Sequence, residues 1–236
     1  MDKLKKGLKW LFNSYIWLGV LLLIIDIVTK NIIVKYGNEI TSAHQYATHG
    51  STIKDGGIDL IPGFLGINYL INENIAFGLK LGTTQITQIV FSIVAILVVI
   101  GLIIIMIRKW DKINRFYKAC FMLIIVGALG NVIDRIFYSP EYLNYYNNDG
   151  VLARGVVDWI DFYGIWGFTF NIADSCVVIA AIMLIIYTII EEIRDYRNKK
   201  IEEKDQPEEK EKEEKVLSQT ELEKQKLLEE GKDKDE

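Results

Sequence analysis

The sequence predicts a membrane protein of the all-α class, a four-helix bundle of spanning helices followed by a charged C-terminal tail. Three observations predict it. First, the chain of 236 residues is 50% hydrophobic and 25% charged, ordinary values for a soluble protein, but its charge is segregated. Residues 191–236 hold 18 acidic and 12 basic residues, whereas residues 1–190 hold only 13 acidic and 15 basic ones. Second, residues 81–107 contain no charge at all, and a bilayer core of ~30 Å needs about 20 apolar residues. A soluble all-α core is the alternative, but soluble helices rarely run so far without a charge. Third, residues 10–25, 119–133 and 168–190 are also apolar, broken at or near one end by Asp26 and Lys30, by Asp134 and Arg135, and by Asp174.

These runs place spans at about 10–33, 83–107, 116–138 and 167–190, within a membrane domain of residues 1–200. The loops lie at about 36–80 and 139–166, and the tail is 201–236. Disorder is excluded for the body. Two cysteines, Cys120 and Cys176, exclude a disulfide scaffold. Their spans place them at different depths, so packing is their expected role. The pI of about 5.4 reports mostly the tail and points to no nucleic-acid partner.

Orientation follows from Lys and Arg near the span ends. Lys3, Lys5, Lys6 and Lys9 precede the first span. Arg108, Lys109, Lys112, Arg115 and Lys118 separate the second from the third, and Arg194, Arg197, Lys199 and Lys200 follow the fourth. The long loops are poorer, with Lys54 and Lys80 in one and Arg154 in the other. Both termini are therefore expected in the cytoplasm, with both long loops outside. The first span is expected to be retained, because it is long, contains Asp26 and has no small-x-small cleavage site after it.

In the first outer loop, Ile67, Tyr69 and Ile71 alternate with other residues and predict a short strand. Gly56, Gly57, Pro62 and Gly63 supply turns before it. Residues 139–155, rich in Tyr and Asn, read as an exposed insertion. His44 and His49 are read as solvated loop residues, not metal ligands.

Ionisable residues inside a span are expensive and usually functional. At ~1.5 Å per residue, Asp26, Asp134 and Asp174 lie ~24–26 Å from the cytoplasmic ends of their helices at Lys9, Lys118 and Glu191. Three helices thus carry a carboxylate at one level, just inside the outer surface. The second span carries none and reads as a passive wall. Asp26 and Lys30 are i,i+4 and share a face. Asn131 is spaced i,i+3 from Asp134 and i,i+4 from Arg135, and Asn171 and Asp174 are i,i+3. Structural glue between helices is the bland alternative. Asp26–Lys30 and Asp134–Arg135 each have an opposite charge at hand, whereas Asp174 needs a partner from another helix or a proton.

There is no HExxH pair and no GxSxG elbow, and both histidines lie in a loop. Carboxylates and amides remain. Two close carboxylates cannot both ionise cheaply, so one keeps a proton; one activates water while the other donates to the carbonyl. An aspartic hydrolase fits this inventory best. A transporter or proton channel is the alternative, but these charges cluster at one surface and do not cross the membrane.

Five segments, in order, resemble those of the bacterial lipoprotein signal peptidase family, also called signal peptidase II or prolipoprotein signal peptidase. They are D-I-V-T-K at 26–30, N-E-N-I-A-F-G at 72–78, G-A-L-G-N-V-I-D-R at 127–135, G-V-V-D-W-I-D at 155–161 and F-T-F-N-I-A-D-S at 168–175. The likeness covers about residues 10–190. Asn74 and Ile75 depart from the family's usual Gly and Ala, and the stretch 139–154 looks long. The resemblance implies a membrane aspartic endopeptidase that removes the signal peptide from diacylglyceryl-modified prolipoproteins, just before the lipidated cysteine. It implies Asp158 and Asp174 as the catalytic dyad, although the depth pattern alone favours Asp134 beside Asp174. Asp161 is a rival by position only. Supporting roles are implied for Asp26, Lys30, Asn72, Asn131, Arg135 and Asn171, and Asp134 is expected to pair with an Arg or Lys. The first outer loop is expected to form a small extracytoplasmic β-cradle. No metal or cofactor is implied. The expected setting is the bacterial plasma membrane, with the active site at its outer surface, membrane lipids around it and the protein acting as a monomer.

The tail is rich in Glu and Lys, which favours a disordered or helical solvated extension. Truncation after residue 200 is expected to leave peptidase activity unchanged in a cleavage assay; a clear loss would make the tail part of the machinery.

Overall fold

The computed structural model describes residues 12–42, 57–73, 84–147, 150–162 and 168–232. Their elements are α1 (Ile16–Lys35), α2 (Gly37–Ser42), β1 (Ile58–Ile61), β2 (Leu65–Asn72), α3 (Thr84–Arg108), α4 (Arg115–Phe137), α5 (Pro140–Leu143), β3 (Val156–Asp161), β4 (Thr169–Phe170) and α6 (Ile172–Lys232). His44, His49, Asn74 and Ile75, together with the N-terminal lysines, lie outside the described residues.

The architecture is mostly helical, with one small antiparallel sheet. Among the described residues, four stretches are long and apolar enough to cross a membrane: Ile16–Lys35, Gln85–Arg108, Arg115–Phe137 and Ile172–Ile201. Their surfaces tell against a soluble core. Leu97 is 61% exposed and Ile107 73%, and apolar faces on this scale belong in hydrocarbon. Helix α4 is the most enclosed of the four and packs against both α1 and α3. Asn114 caps its start by accepting from Tyr117 N–H at 2.9 Å, which satisfies one of the amides left over at a helix N-terminus.

Small residues bring α6 close to α4. A Cβ at Gly127 would collide with Val177 and lie 2.6 Å from the Ala173 carbonyl oxygen. One at Gly130 would lie 2.6 Å from Asp26 Oδ2 and 2.7 Å from Ala173 Cβ. Two glycines one turn apart thus let two backbones and a buried carboxylate share one space.

The sheet has strand order β1-β2-β3-β4. Leu70 lies opposite Asp158 and Asn72 opposite Val156, while Ile160 pairs with Phe170. This corrects two expectations. The sheet is not built from the first outer loop alone, because the second loop supplies β3 and β4. The fourth helix begins at Ile172, not near 167, because Thr169 and Phe170 are held as a strand by Ile160 and Asp161. Val156, Val157, Trp159 and Ile160 are β-branched or aromatic, the residue types that suit a pleated half-buried surface.

A third correction concerns residues 139–155. Leu143 and Ala153 are 1% and 0% exposed. They join Ile33, Ile40, Tyr69 and Val157 in an apolar cluster beneath the sheet. The Tyr69 hydroxyl donates to the Leu143 carbonyl, and its ring stacks edge-on against Tyr145 at 5.4 Å. Tyrosine brings a large apolar body with one polar tip, so a Tyr-rich stretch is able to form core. Gly37 makes room for the Tyr69 ring, and a Cβ at Gly155 would strike the Asn72 carbonyl.

Gly127→Ala is expected to cost about 1–3 kcal/mol by overpacking, lowering the unfolding temperature of the detergent-solubilised protein. Gly101→Ala, with open space around it, should instead be neutral or gain up to about 1 kcal/mol.

Candidate active site

The site is built around one buried cation. Lys30 Nζ on α1 lies 2.8 Å from Asp26 Oδ2, 2.9 Å from Asp134 Oδ2 and 3.3 Å from Asn131 Oδ1. An ammonium has three N–H donors, and three oxygens surround it. Lys30, Asp26 and Asp134 are fully buried. Asp134 pairs with Lys30 of another helix, not with its neighbour Arg135, because consecutive helical residues point about 100° apart. Both carboxylates reach further. Asp26 Oδ1 accepts from Ala173 N–H at 2.9 Å, and Asp134 Oδ2 also accepts from Val157 N–H at 3.0 Å. One ion-pair cluster thereby ties α1 and α4 to the start of α6 and to β3.

Asn171 sits at the junction of β4 and α6. Its Oδ1 accepts from Asp174 N–H at 2.8 Å, and its own N–H donates to Asp174 Oδ2 at 3.4 Å. This reciprocal arrangement is a capping box at the head of the helix, with a carboxylate at the positive end of the helix dipole. Its amide nitrogen donates to Asp158 Oδ1 at 2.8 Å and to Asn131 Oδ1 at 3.1 Å. Asn131 Nδ2 in turn donates to Asp174 Oδ1 at 2.7 Å, and Asn72 Nδ2 donates to Asp158 Oδ2 at 3.0 Å. Two carboxylates, one on a strand and one on a helix terminus, are thus linked through one asparagine. Burial first, and the charge of Asp174 second, push the Asp158 carboxyl well above the usual carboxylate range. Arg135 donates to the Asn131 carbonyl at 3.3 Å and interacts electrostatically with Asp174, Asp134 and Asp158.

All eight residues singled out from the sequence, Asp26, Lys30, Asn72, Asn131, Arg135, Asp158, Asn171 and Asp174, fall in this connected cluster. Asp161 does not. It lies three residues from Asp158 on one strand, hence on the opposite face, where Asn68 Nδ2 reaches it at 3.3 Å. Among the described residues, no group of His, Cys, Asp or Glu is arranged to hold a metal ion. Sequence reasoning missed Gln88, which lines a groove of about 330 Å³ with Arg135 and Arg154. Span two therefore brings a buried polar side chain to this groove. The legible signal was Thr87, Gln88 and Ser92, buried polar residues in the charge-free run.

Spanning helices with a carboxylate–amide cluster at one end, roofed by a sheet, define a multi-pass membrane protein equipped for polar chemistry. A family model described as signal peptidase (SPase) II matches residues 18–190, and the chain belongs to that family of peptidases. It is 33% identical over 174 residues to the lipoprotein signal peptidase of Fusobacterium nucleatum, covering 73% of this chain and 84% of that one. With the lipoprotein signal peptidase of Clostridium novyi it shares 34% over 172 residues, covering 72% and 93%. A solved structure described as a bacterial membrane enzyme, determined by the in meso method at 2.3 Å resolution, matches with a TM-score of 0.53 at 30% identity. That match covers 76% of this chain and 89% of the other.

Lys30→Met would leave two buried carboxylates without their cation. The expected cost is about 3–5 kcal/mol, read as a large fall in unfolding temperature in detergent. A wild-type unfolding temperature would show that the cluster does not hold the fold together.

Proposed function

We propose that this protein removes the signal peptide from diacylglyceryl-modified prolipoproteins, cutting the peptide bond just before the lipidated cysteine. The observation that carries the reading is the pair of carboxylates, Asp158 and Asp174, joined through Asn171. In this reading one carboxylate is ionised and takes a proton from water, whose oxygen adds to the scissile carbonyl carbon. The partner carboxyl is protonated and donates to the carbonyl oxygen as charge develops there. Collapse of the tetrahedral intermediate breaks the C–N bond: the carboxyl that took water's proton delivers it to the cysteine nitrogen, and the intermediate's hydroxyl returns a proton to the partner carboxylate. The shared proton belongs to the pair, which titrates in coupled steps.

The other residues hold this arrangement. Asn72, Asn131 and Asn171 fix the carboxylate oxygens, Arg135 supplies positive charge beside them, and Asp26 and Lys30 anchor the framework. The site's depth supports the substrate reading. Asp134 lies 19 residues along α4 from Arg115, ~29 Å at ~1.5 Å per residue, so the cluster sits near the opposite surface from the basic loop. The positive-inside rule makes that the outer surface, with both termini cytoplasmic. A cysteine carrying acyl chains is held at the same level, where water still reaches. We read the enzyme as a monomer in the plasma membrane.

The test is a gel mobility shift of diacylglyceryl-modified prolipoprotein. Asp158→Asn and Asp174→Asn are each expected to lose at least ~100-fold in rate while still folding; normal cleavage by either variant would overturn the dyad. A transporter would instead move an ion or solute across liposomes and release no cleaved product. The rate should also describe a bell in pH. It falls on the acid side when both carboxyls are protonated and on the alkaline side when the shared proton is lost. Because Asp158 is pushed upward, the alkaline limb is expected well above the ordinary carboxylate range; a flat profile there would count against a shared proton.

A further inference from the structure

Gln88, on α3, is only 4% exposed and lines the groove between α3 and α4 together with Ile89, Ser92, Ile93, Arg135 and Arg154. Its Nε2 donates to the Glu73 carbonyl at 2.9 Å and to the Arg154 carbonyl at 3.3 Å. Those two carbonyls fix which end of the amide is which, since the flipped form would set oxygen against oxygen. Gln88 Oε1 is therefore the free acceptor, buried and, among the described residues, without a donor. Leaving a buried polar atom unpaired is costly, and Gln88 lines the same groove as Arg135, which touches the carboxylate cluster.

The groove specifies its occupant. Gln88 Oε1 requires an N–H or O–H donor. Two arginines offer further N–H donors to acceptors such as peptide or ester carbonyls. Ile89 and Ile93 require an apolar body. A peptide backbone carrying an acylated side chain presents all three within a few bonds. Resting on the function proposed above, we propose that Gln88 is a substrate-binding residue whose side-chain oxygen, covered in the free protein, turns to the groove and accepts a hydrogen bond from a backbone N–H of the lipidated peptide seated there. The same amide holds the backbone after β2 and before β3, so reading the substrate and placing Asn72 share one side chain.

The experiment is steady-state cleavage of synthetic diacylglyceryl peptides in detergent micelles, each N-methylated at one backbone nitrogen. Wild type, Gln88→Met and Gln88→Glu are compared. Gln88→Met is expected to raise KM by about three- to tenfold, the worth of one hydrogen bond, and any accompanying fall in kcat reports the lost hold on Asn72. One N-methyl position should raise the wild-type KM by a similar factor yet add nothing in Gln88→Met. Gln88→Glu, which keeps an acceptor, should retain that penalty. An unchanged KM in Gln88→Met would overturn the proposal, as would equal N-methyl penalties in wild type and Gln88→Met. A fall in kcat alone would also overturn it, by making Gln88 only a clamp on the loops. If Gln88→Met does not fold, loss of every N-methyl penalty in Gln88→Glu is the overturning result. Failure of wild type to cleave any of these peptides would instead strike the peptidase reading itself.

Discussion

Everything at the polar end of this protein depends on the burial of the Lys30 ammonium between Asp26 and Asp134. A lone cation there would be very costly to desolvate, and so would either carboxylate. Together they are tolerable, and their geometry is demanding. Each carboxylate also accepts from a backbone amide, one at the head of α6 and the other on β3. Those two amides belong to Ala173 and Val157, the immediate neighbours of Asp174 and Asp158. The ion cluster therefore sets the positions of the backbone that carries the proposed dyad, without touching the dyad itself.

The rest of the fold serves that arrangement with weaker and more numerous interactions. The outer faces of the helices expose isoleucine, leucine and valine, which cost nothing in hydrocarbon and contribute little to helix association. Association comes instead from close approach, which Gly127 and Gly130 allow, and from polar links between helices. Beyond the ends of the apolar helices the logic changes. The sheet and the tyrosine-rich stretch build an ordinary water-excluding core, where aromatic area replaces lipid. The protein thus uses two kinds of packing, and the carboxylates lie where they meet.

The membrane character was legible because charge is so sparse in the body that each charged residue is informative. The common depth of Asp26, Asp134 and Asp174 was readable from helix geometry, and the i,i+4 spacing of Asp26 and Lys30 anticipated their ion pair. The depth pattern misjudged Asp134. It sits at the right level, but Lys30 neutralises it, and no spacing rule reveals a partner from 100 residues away. Asp158 was invisible to helix periodicity because it lies on a strand, and only the resemblance singled it out. The V-V-D-W-I run was a strand signal, yet its position between an irregular insertion and a span hid it. Gln88 was overlooked because a charge-free run looks inert when only charges are counted.

The antiparallel sheet joins residues 65–72 to residues 156–161, with two complete spans between them. Chain order thereby imposes a timetable. A partly synthesised chain holding the first span already contains Asp26 and Lys30, but it lacks the strand and the helix terminus that carry Asp158 and Asp174. Asn171, which links those two carboxylates, takes up its capping role only when the fourth helix starts. The proposed dyad is consequently assembled only once the fourth helix has begun, and on this reading the peptidase is inactive until then.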